Sequence, residues 1–308
     1  MASASYRGRF APSPTGPLHS GSLVAAVGSY LEAKSHQGAW LVRMEDLDPP
    51  REVAGAADLI LKTLEAYGFE WDGPVLYQSR RSEFYESALA QLQQNGLLYP
   101  CGCTRKEIAD SAVHGIEGPV YPGICRHGMM VSGKTARAWR VRVNASDIVI
   151  EDQVQGTLTQ NLDRDIGDFV LKRADGYYAY QLAVVVDDAT QGITHVVRGA
   201  DLLDSTPRQV YLQRLLGLPT PVYAHLPIAV NAAGEKLSKQ TLAAPLDIGN
   251  PAPALHQALR FLGQNVPAEL AAADPCALWQ WAREHWRLAN VPSLRHQPVT
   301  PRAFPAPG

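Results

Sequence analysis

Two short stretches carry side chains suited to handling phosphate. The first is Arg9–Gly21, reading RFAPSPTGPLHSG, and the second is KLSK at Lys236–Lys239. Pro12, Pro14 and Gly16 forbid a helix, and His19-Ser20-Gly21 then opens one, so His19 is placed at a helix N-terminus. Unpaired backbone N–H groups and the positive end of the helix dipole favour anions there. Gly21 lets a ligand approach the backbone, and an imidazole donates to a phosphate oxygen without needing charge. Lys236 and Lys239 follow Gly234 in a loop from which an ammonium can close on a leaving pyrophosphate. This is catalysis by electrostatic positioning, with no protein nucleophile. Taken alone, each motif also fits a solvated loop; their order and the strand-turn-helix setting favour the site.

The elements that must position these groups follow from the pattern. Tyr6–Phe10 fits a short buried strand, and Gly21–Gln37 an amphipathic helix with Leu23, Val24, Val27 and Leu31 on one side. Residues 1–99 alternate strand and helix: Arg7–Ala11, helix 21–37, Trp40–Met44, helix 52–68, a strand near Val75–Tyr77 and helix 80–96. That is the first half of a doubly wound α/β sheet. Residues 100–175 read as an insertion with β-rich segments at Ala138–Val143 and Thr157–Thr159. The second half, 176–245, resumes at Tyr178–Val186 and Thr194–Arg198, with helix Thr206–Leu216 and the apolar segment Val222–Val230 leading to the lysine loop. Asp187 and Asp188 are read as turn residues at a strand end. Residues 246–308 form a short helical region, with helices near Pro253–Leu262, Pro267–Ala273 and Cys276–Glu284 and a loosely ordered tail from Pro292. No internal repeat is evident.

The insertion carries three of the four cysteines. Cys101-Gly102-Cys103 is a tight turn, and Cys125 follows a stretch too rich in Gly and Pro for a long helix. Thiolates held close by turns suit a structural tetrahedral Zn²⁺, which would staple a segment of little apolar periodicity. Spacing alone favours His127 or His114 as fourth ligand. Cys276 lies alone in a late helix, where burial is expected.

Hydrophobic content of 46% and charged content of 19% are ordinary globular values. The net charge of −2 advertises no overall nucleic-acid field, although Arg80-Arg81, Arg105-Lys106, Arg137–Arg142 and Lys172-Arg173 could form local patches. No apolar run reaches membrane-spanning length and no signal-peptide layout is present, so a cytoplasmic protein without membrane association is expected.

These motifs resemble the class I aminoacyl-tRNA synthetases, with PLHSG in place of HIGH and KLSKQ in place of KMSKS. Within that class RFAPSPTG, LVRMEDLD, YQLAVVVDD, VVRGADLL and KLSK match the glutamyl branch, in its order, over roughly residues 6 to 245. The resemblance implies a Rossmann-like catalytic domain with ATP and L-glutamate as substrates and Mg²⁺ accompanying ATP. Glutamate's carboxylate would attack the α-phosphorus and a nucleophile on tRNA would then take the glutamyl group. His19, Lys236 and Lys239 are the implied catalytic groups, with Gly21 and Ser22 also at ATP. Arg9, Phe10, Ala11, Pro12 and Ser13 would frame the amino acid, Glu45 would pair with its ammonium, and Arg198 with Tyr180 would hold the side-chain carboxylate. Arg198 and Arg9 are expected to meet carboxylates through the two-pronged guanidinium fork.

The resemblance also implies Tyr121 as the fourth zinc ligand, in the pattern C-x-C…Y-x₃-C. HSGS at 19–22 lacks the second histidine of HIGH, which leaves phosphate binding to His19, backbone N–H groups and the lysine loop. Only residues 241–308 follow Gln240, so no large anticodon-reading region is expected. That points to the truncated subfamily whose partner is tRNA(Asp) containing queuosine, glutamylated on the queuosine base. A conventional enzyme charging the tRNA 3′ end and a non-catalytic RNA-binding paralogue are the competing readings. No protein partner is implied.

Overall fold

A computed structural model describes residues 5–111, 114–115, 118–129, 135–231, 234 and 244–299. The first part of the chain runs β1 (Arg7–Phe10), α1 (Ser20–Ser35), β2 (Ala39–Met44), α2 (Ala56–Ala66), β3 (Leu76–Tyr77) and α3 (Ser82–Gln94). The insertion follows with β4 (Leu98–Cys101), α4 (Arg105–Ser111), β5 (His114–Gly115), β6 (Gly118–Pro119), β7 (Ala138–Val141), β8 (Asp147–Asp152), β9 (Gly156–Asn161), α5 (Leu162–Asp165) and β10 (Val170–Lys172). Then come α6 (Tyr180–Thr190), β11 (His195–Gly199), α7 (Thr206–Leu216), β12 (Val222–Leu226), β13 (Ile228–Val230), α8 (Ala252–Phe261), α9 (Pro275–His285) and β14 (His296–Pro298).

β1, β2 and β3 pair in parallel in the order β1-β2-β3, and β11 pairs in parallel with β12. The two sheets abut where Thr194 N–H donates to the Arg7 carbonyl at 3.0 Å and Arg7 N–H donates to Thr194 Oγ1 at 2.8 Å. Read across that seam, the order β3-β2-β1-β11-β12 is that of a doubly wound sheet, with the chain reversing between β1 and β11. A crevice opens at such a switch point, beyond the carboxyl ends of the two strands. The hairpin β8–β9 extends the second sheet, with Asp152 opposite Tyr223 of β12, while β4, β7 and β10 form a separate antiparallel sheet.

The α/β architecture expected from the sequence is therefore present, with four corrections. Tyr180–Thr190 is a helix, not a strand ending in a turn at Asp187 and Asp188. Its β-branched run reads as a strand, but the helix is buried through Leu182–Asp188 between α3 and α7, where packing outweighs propensity. Helix α1 is not one-sided: Ala26, Tyr30, Glu32 and Ala33 are buried as well, because α8 and α9 cover the face that the pattern leaves to solvent. Trp286 Nε1 donates to Glu32 at 2.6 Å, and Trp279 Nε1 to the Tyr67 carbonyl at 2.8 Å, so the late helices share the core of β1 and β2. Cys276 is exposed at the start of α9, and the segment after Pro292 includes β14, paired in parallel with β13.

The link from α1 to β2 is tight because Gly38 passes against the backbone of Tyr6. A Cβ on Gly38 would lie 2.4 Å from the Tyr6 carbonyl oxygen. That same carbonyl accepts the Ala39 N–H at 3.0 Å and starts the β1–β2 register. Gly38→Ala is expected to lower stability by about 1–3 kcal/mol, as overpacking does, read as a lower urea midpoint at unchanged m-value.

Candidate active site

The crevice at the switch point has a volume of about 870 Å³. Arg9–Ser13 reach it from the end of β1, His19, Gly21 and Ser22 from the start of α1, Glu45 from the end of β2, Tyr180 from the start of α6 and Arg198 from β11. Every residue assigned to glutamate or nucleotide from the sequence, and lying among the described residues, lines this one cleft. Lys236 and Lys239 lie outside the described residues. Of the described chain on either side, Ile228 and Ala229 line the cleft, and Leu246 N–H donates to the Leu18 carbonyl at 3.0 Å, next to His19.

His19 caps α1. Gly21 N–H donates to His19 Nδ1 at 3.1 Å, and His19 N–H to Ser22 Oγ at 2.8 Å, a reciprocal capping box. Since Nδ1 accepts, the ring hydrogen is assigned to Nε2. The cap occupies the Gly21 N–H, one of the backbone donors at this helix end. The imidazole Nε2–H adds a donor at this helix end.

Beneath it lies a buried cluster of charge. Arg9 Nε and Nη2 donate to the two carboxylate oxygens of Asp188 at 3.1 and 3.3 Å. Arg43, fully buried, donates from Nη1 to Asp188 at 2.8 Å and from Nη2 to Glu45 at 3.2 Å. Burial opposes ionisation of Asp188, but Arg9 and Arg43 outweigh it and hold its carboxyl below the usual range. Burial dominates at Glu45 and raises its carboxyl in spite of Arg43 and Arg9. A cation arriving in the cleft would favour the ionised form of Glu45. The Nε/Nη2 edge of Arg9 is thus committed to Asp188, and the hydrogens left on Nη1 and Nη2 are the end it can offer a ligand.

Arg198 is held differently. Its Nε donates to His225 Nε2 at 3.0 Å, Nη2 to Thr206 Oγ1 at 2.9 Å and Gln209 Oε1 at 2.8 Å, and Nη1 to Tyr180 Oη at 3.3 Å. The Nε/Nη2 edge is taken, so the expected two-pronged grip is replaced by Nη1 acting beside the Tyr180 hydroxyl. Each of these partners is a neutral group, since burial lowers His225 to about 4. Arg198 is a buried cation at the cleft with no carboxylate among its described partners.

Away from the cleft, the Sγ atoms of Cys101, Cys103 and Cys125 lie within 4.8 Å of one another, an arrangement that could hold a metal ion. Tyr121 Oη is 3.4 Å from Cys101 Sγ and 3.8 Å from Cys103 Sγ, near the spacing of about 3.8 Å between ligands of a tetrahedral centre with 2.3 Å bonds. Burial disfavours the Cys101 thiolate, yet contacts from the Tyr121 hydroxyl, the Cys103 backbone and Arg140 lower it to about 7. His127 is exposed and outside the group, and the side chain of His114 is not among those described.

The family profile for the catalytic domain of class I tRNA synthetases of the E and Q type matches residues 5–269. The chain belongs to this family. It is 64% identical over 289 residues to a protein of Dechloromonas aromatica (strain RCB) named glutamyl-Q tRNA(Asp) synthetase, covering 93% of this chain and 96% of that one. A protein of the same name from Chromobacterium violaceum is 59% identical over 293 residues, with 95% and 97% covered. The fold is similar to that of glutamate-tRNA synthetase from Elizabethkingia anophelis, with a TM-score of 0.78 at 23% identity over 98% of this chain and 69% of that one. The chain is thus a ligase of the ATP-using class I synthetase family, and no described helix is long and apolar enough to cross a membrane.

The sequence reading missed Arg43, Asp188, Asp152 and His225, which hold the family's cleft from behind. Two acids closing an apolar run were the available signal, because buried acids seldom lack a partner. Replacing Asp188 by Asn would leave Arg9 and Arg43 sharing a neutral group, at an expected cost of about 3–5 kcal/mol in unfolding free energy, measured by denaturant titration. His225 bears on acid stability. An unfolded histidine titrates near 6.5, so between there and about 4 the unfolded chain binds the extra proton and stability falls as pH drops. The melting temperature should decline more steeply over that window in the wild type than in His225→Gln.

Proposed function

We propose that this protein is a cytoplasmic glutamyl-Q tRNA(Asp) synthetase: it activates L-glutamate with ATP and transfers it to the queuosine base in the anticodon loop of tRNA(Asp). Arg198 carries the reading for the amino acid. A buried guanidinium among neutral acceptors at the base of a cleft calls for an anion, and the side-chain carboxylate of glutamate meets Nη1 and the Tyr180 hydroxyl. Glu45 pairs with the α-ammonium, and Arg9 Nη1 with Phe10–Ser13 frames the α-carboxylate. That carboxylate attacks the α-phosphorus of ATP in line, and pyrophosphate departs. His19 Nε2–H, Lys236 and Lys239 stabilise the developing charge, with Gly21 and Ser22 lining the nucleotide's side of the cleft at the start of α1 and Mg²⁺ accompanying the nucleotide. The reaction needs no general base, since the attacking carboxylate is already ionised. Preference for queuosine-containing tRNA(Asp) is supported by the names of the relatives. In this reading residues 1–99 and 176–245 form the catalytic core, 100–175 the metal-bearing insertion and 246–308 a short helical end.

The metal is Zn²⁺, held by Cys101, Cys103, Cys125 and Tyr121. Three soft sulfur donors and one oxygen in a closed, largely buried set suit a structural site. None of the four lines the cleft, so the ion's part is to fold the insertion.

The deciding experiment supplies purified protein, ATP and labelled glutamate with tRNA(Asp) bearing queuosine, tRNA(Asp) lacking it, and tRNA(Glu). Label is expected on the first alone. Charging of tRNA(Glu) at its 3′ adenosine would replace this function with that of a conventional glutamyl enzyme, and absence of glutamate-dependent pyrophosphate exchange would remove catalysis altogether. Arg198→Gln should reduce the glutamate-over-glutamine preference in kcat/KM by about 100-fold, the scale of a lost charge-assisted hydrogen bond. Elemental analysis should find one zinc per chain, and stripping it with a strong chelator should lower the melting temperature and expose the thiols to a thiol reagent.

A further inference from the structure

Behind Arg198, on the side away from the cleft, stands a line of buried polar groups with no part in the chemistry described above. His225, on β12, has no exposed surface and sits between Arg198 and Asp152, the last residue of β8. Its Nδ1 lies 2.6 Å from Asp152 Oδ2, and both side chains are fully buried. Asp152 is itself rigidly seated, because Oδ1 accepts the backbone N–H groups of Val154, Gln155 and His225 at 3.1, 2.9 and 3.0 Å.

The hydrogen on the ring follows from its neighbours. Arg198 Nε always carries a hydrogen, so His225 Nε2, 3.0 Å away, must accept. The hydrogen of a neutral ring then resides on Nδ1, where an ionised carboxylate waits. With burial lowering the imidazole to about 4, the neutral ring is the working form. A protonated ring would face the guanidinium donor to donor. Nε2 is thereby presented as a fixed acceptor that sets the plane of Arg198, with Thr206 and Gln209 completing that edge. What is left to point at the cleft is Nη1.

We propose that Asp152 and His225 are a positioning relay for glutamate selection: the carboxylate fixes the imidazole tautomer, the imidazole orients Arg198, and Arg198 presents Nη1 beside Tyr180 to the substrate carboxylate. The inference rests on the assignment of Arg198 to the glutamate side chain. It adds a specificity role for a residue of the β8–β9 hairpin, which lies in the insertion rather than in the catalytic core.

Asp152→Asn is the incisive change, since it keeps shape and volume. An Asn can turn its NH₂ toward Nδ1, which drives the ring hydrogen to Nε2 and sets it against Arg198 Nε–H. His225→Gln is the conservative partner, since its amide oxygen can accept from Arg198 while its NH₂ donates to Asp152. His225→Leu removes the acceptor.

Steady-state pyrophosphate exchange without tRNA should show KM for glutamate raised about ten- to hundredfold in Asp152→Asn and His225→Leu, with KM for ATP within about twofold of wild type. His225→Gln should recover most of the glutamate affinity. A purely structural pair would instead lower the melting temperature and active fraction, leaving both KM values in place, and that result overturns the relay. Side-chain ¹H–¹⁵N spectra of the wild-type protein give a reading independent of activity and of variant folding: the His225 hydrogen is expected on Nδ1, and finding it on Nε2 also overturns the relay. If wild-type protein shows no glutamate-dependent exchange, the glutamate assignment falls and the selection role with it. If Arg198→Gln raises KM for glutamate and Asp152→Asn does not, the relay alone is wrong.

Discussion

The cleft depends on positive charge kept out of water. Arg9, Arg43 and Arg198 are each at most 5% exposed, and they converge where β1, β2, α6 and β11 meet. Two carboxylates, Asp188 and Glu45, answer Arg9 and Arg43 directly, while Arg198 has only neutral described partners and Asp152 stands one imidazole further back. Burying such an imbalance is costly unless a ligand completes it. Glutamate carries two carboxylates and one ammonium, so its net charge complements the floor of this cleft. The same cations that would select the substrate also lock the sheet. Arg43 joins β2 to α6 through Asp188 and Gln191, and Arg9 joins β1 to α6 through the same aspartate.

Each carboxylate or neutral acceptor consumes one edge of an arginine. Asp188 takes the Nε/Nη2 edge of Arg9, and His225 with Thr206 and Gln209 takes that of Arg198. A guanidinium fixed along one edge has its plane set, and the hydrogens left on its Nη atoms are donors of defined direction. At Arg198 this would exchange a two-pronged grip on a ligand for rigidity of the gripping group. Preorganisation of this kind lowers the ordering cost of binding, and discrimination benefits because a wrong side chain leaves a buried donor unpaired.

What was legible in the sequence was local. RFAPSPTGPLHSG encodes a strand, a turn and a capped helix within one stretch, so backbone chemistry alone places His19. The three cysteines were likewise readable because turns bring them together over short spans. Less legible was anything decided by what packs around a segment. The run LAVVV has strand-like composition, and only its burial between α3 and α7 makes it helix. The outer face of α1 looked free because its cover, α8 and α9, comes from over two hundred residues away. His225 in YAHLP carries no local sign of its role, since its partners Asp152 and Arg198 are fixed by strand register.

The insertion is held together by a similar economy of buried polar groups. Asp168 accepts the Tyr99 hydroxyl at 2.5 Å and the Val143 N–H at 2.7 Å, while its backbone carbonyl accepts from Arg140 at 2.7 Å. That arginine lies with its guanidinium carbon 3.8 Å from the ring centre of Tyr121. A phenol must lose its proton to serve as an anionic metal ligand, and burial pushes the Tyr121 hydroxyl up. A cation on the ring face and the Cys125 N–H, donated to the phenol oxygen at 2.9 Å, both stabilise the phenolate. The surroundings would thus supply what an unassisted tyrosine lacks as a metal ligand, and they would do so with Arg140, the residue that also anchors β7 beside Asp168.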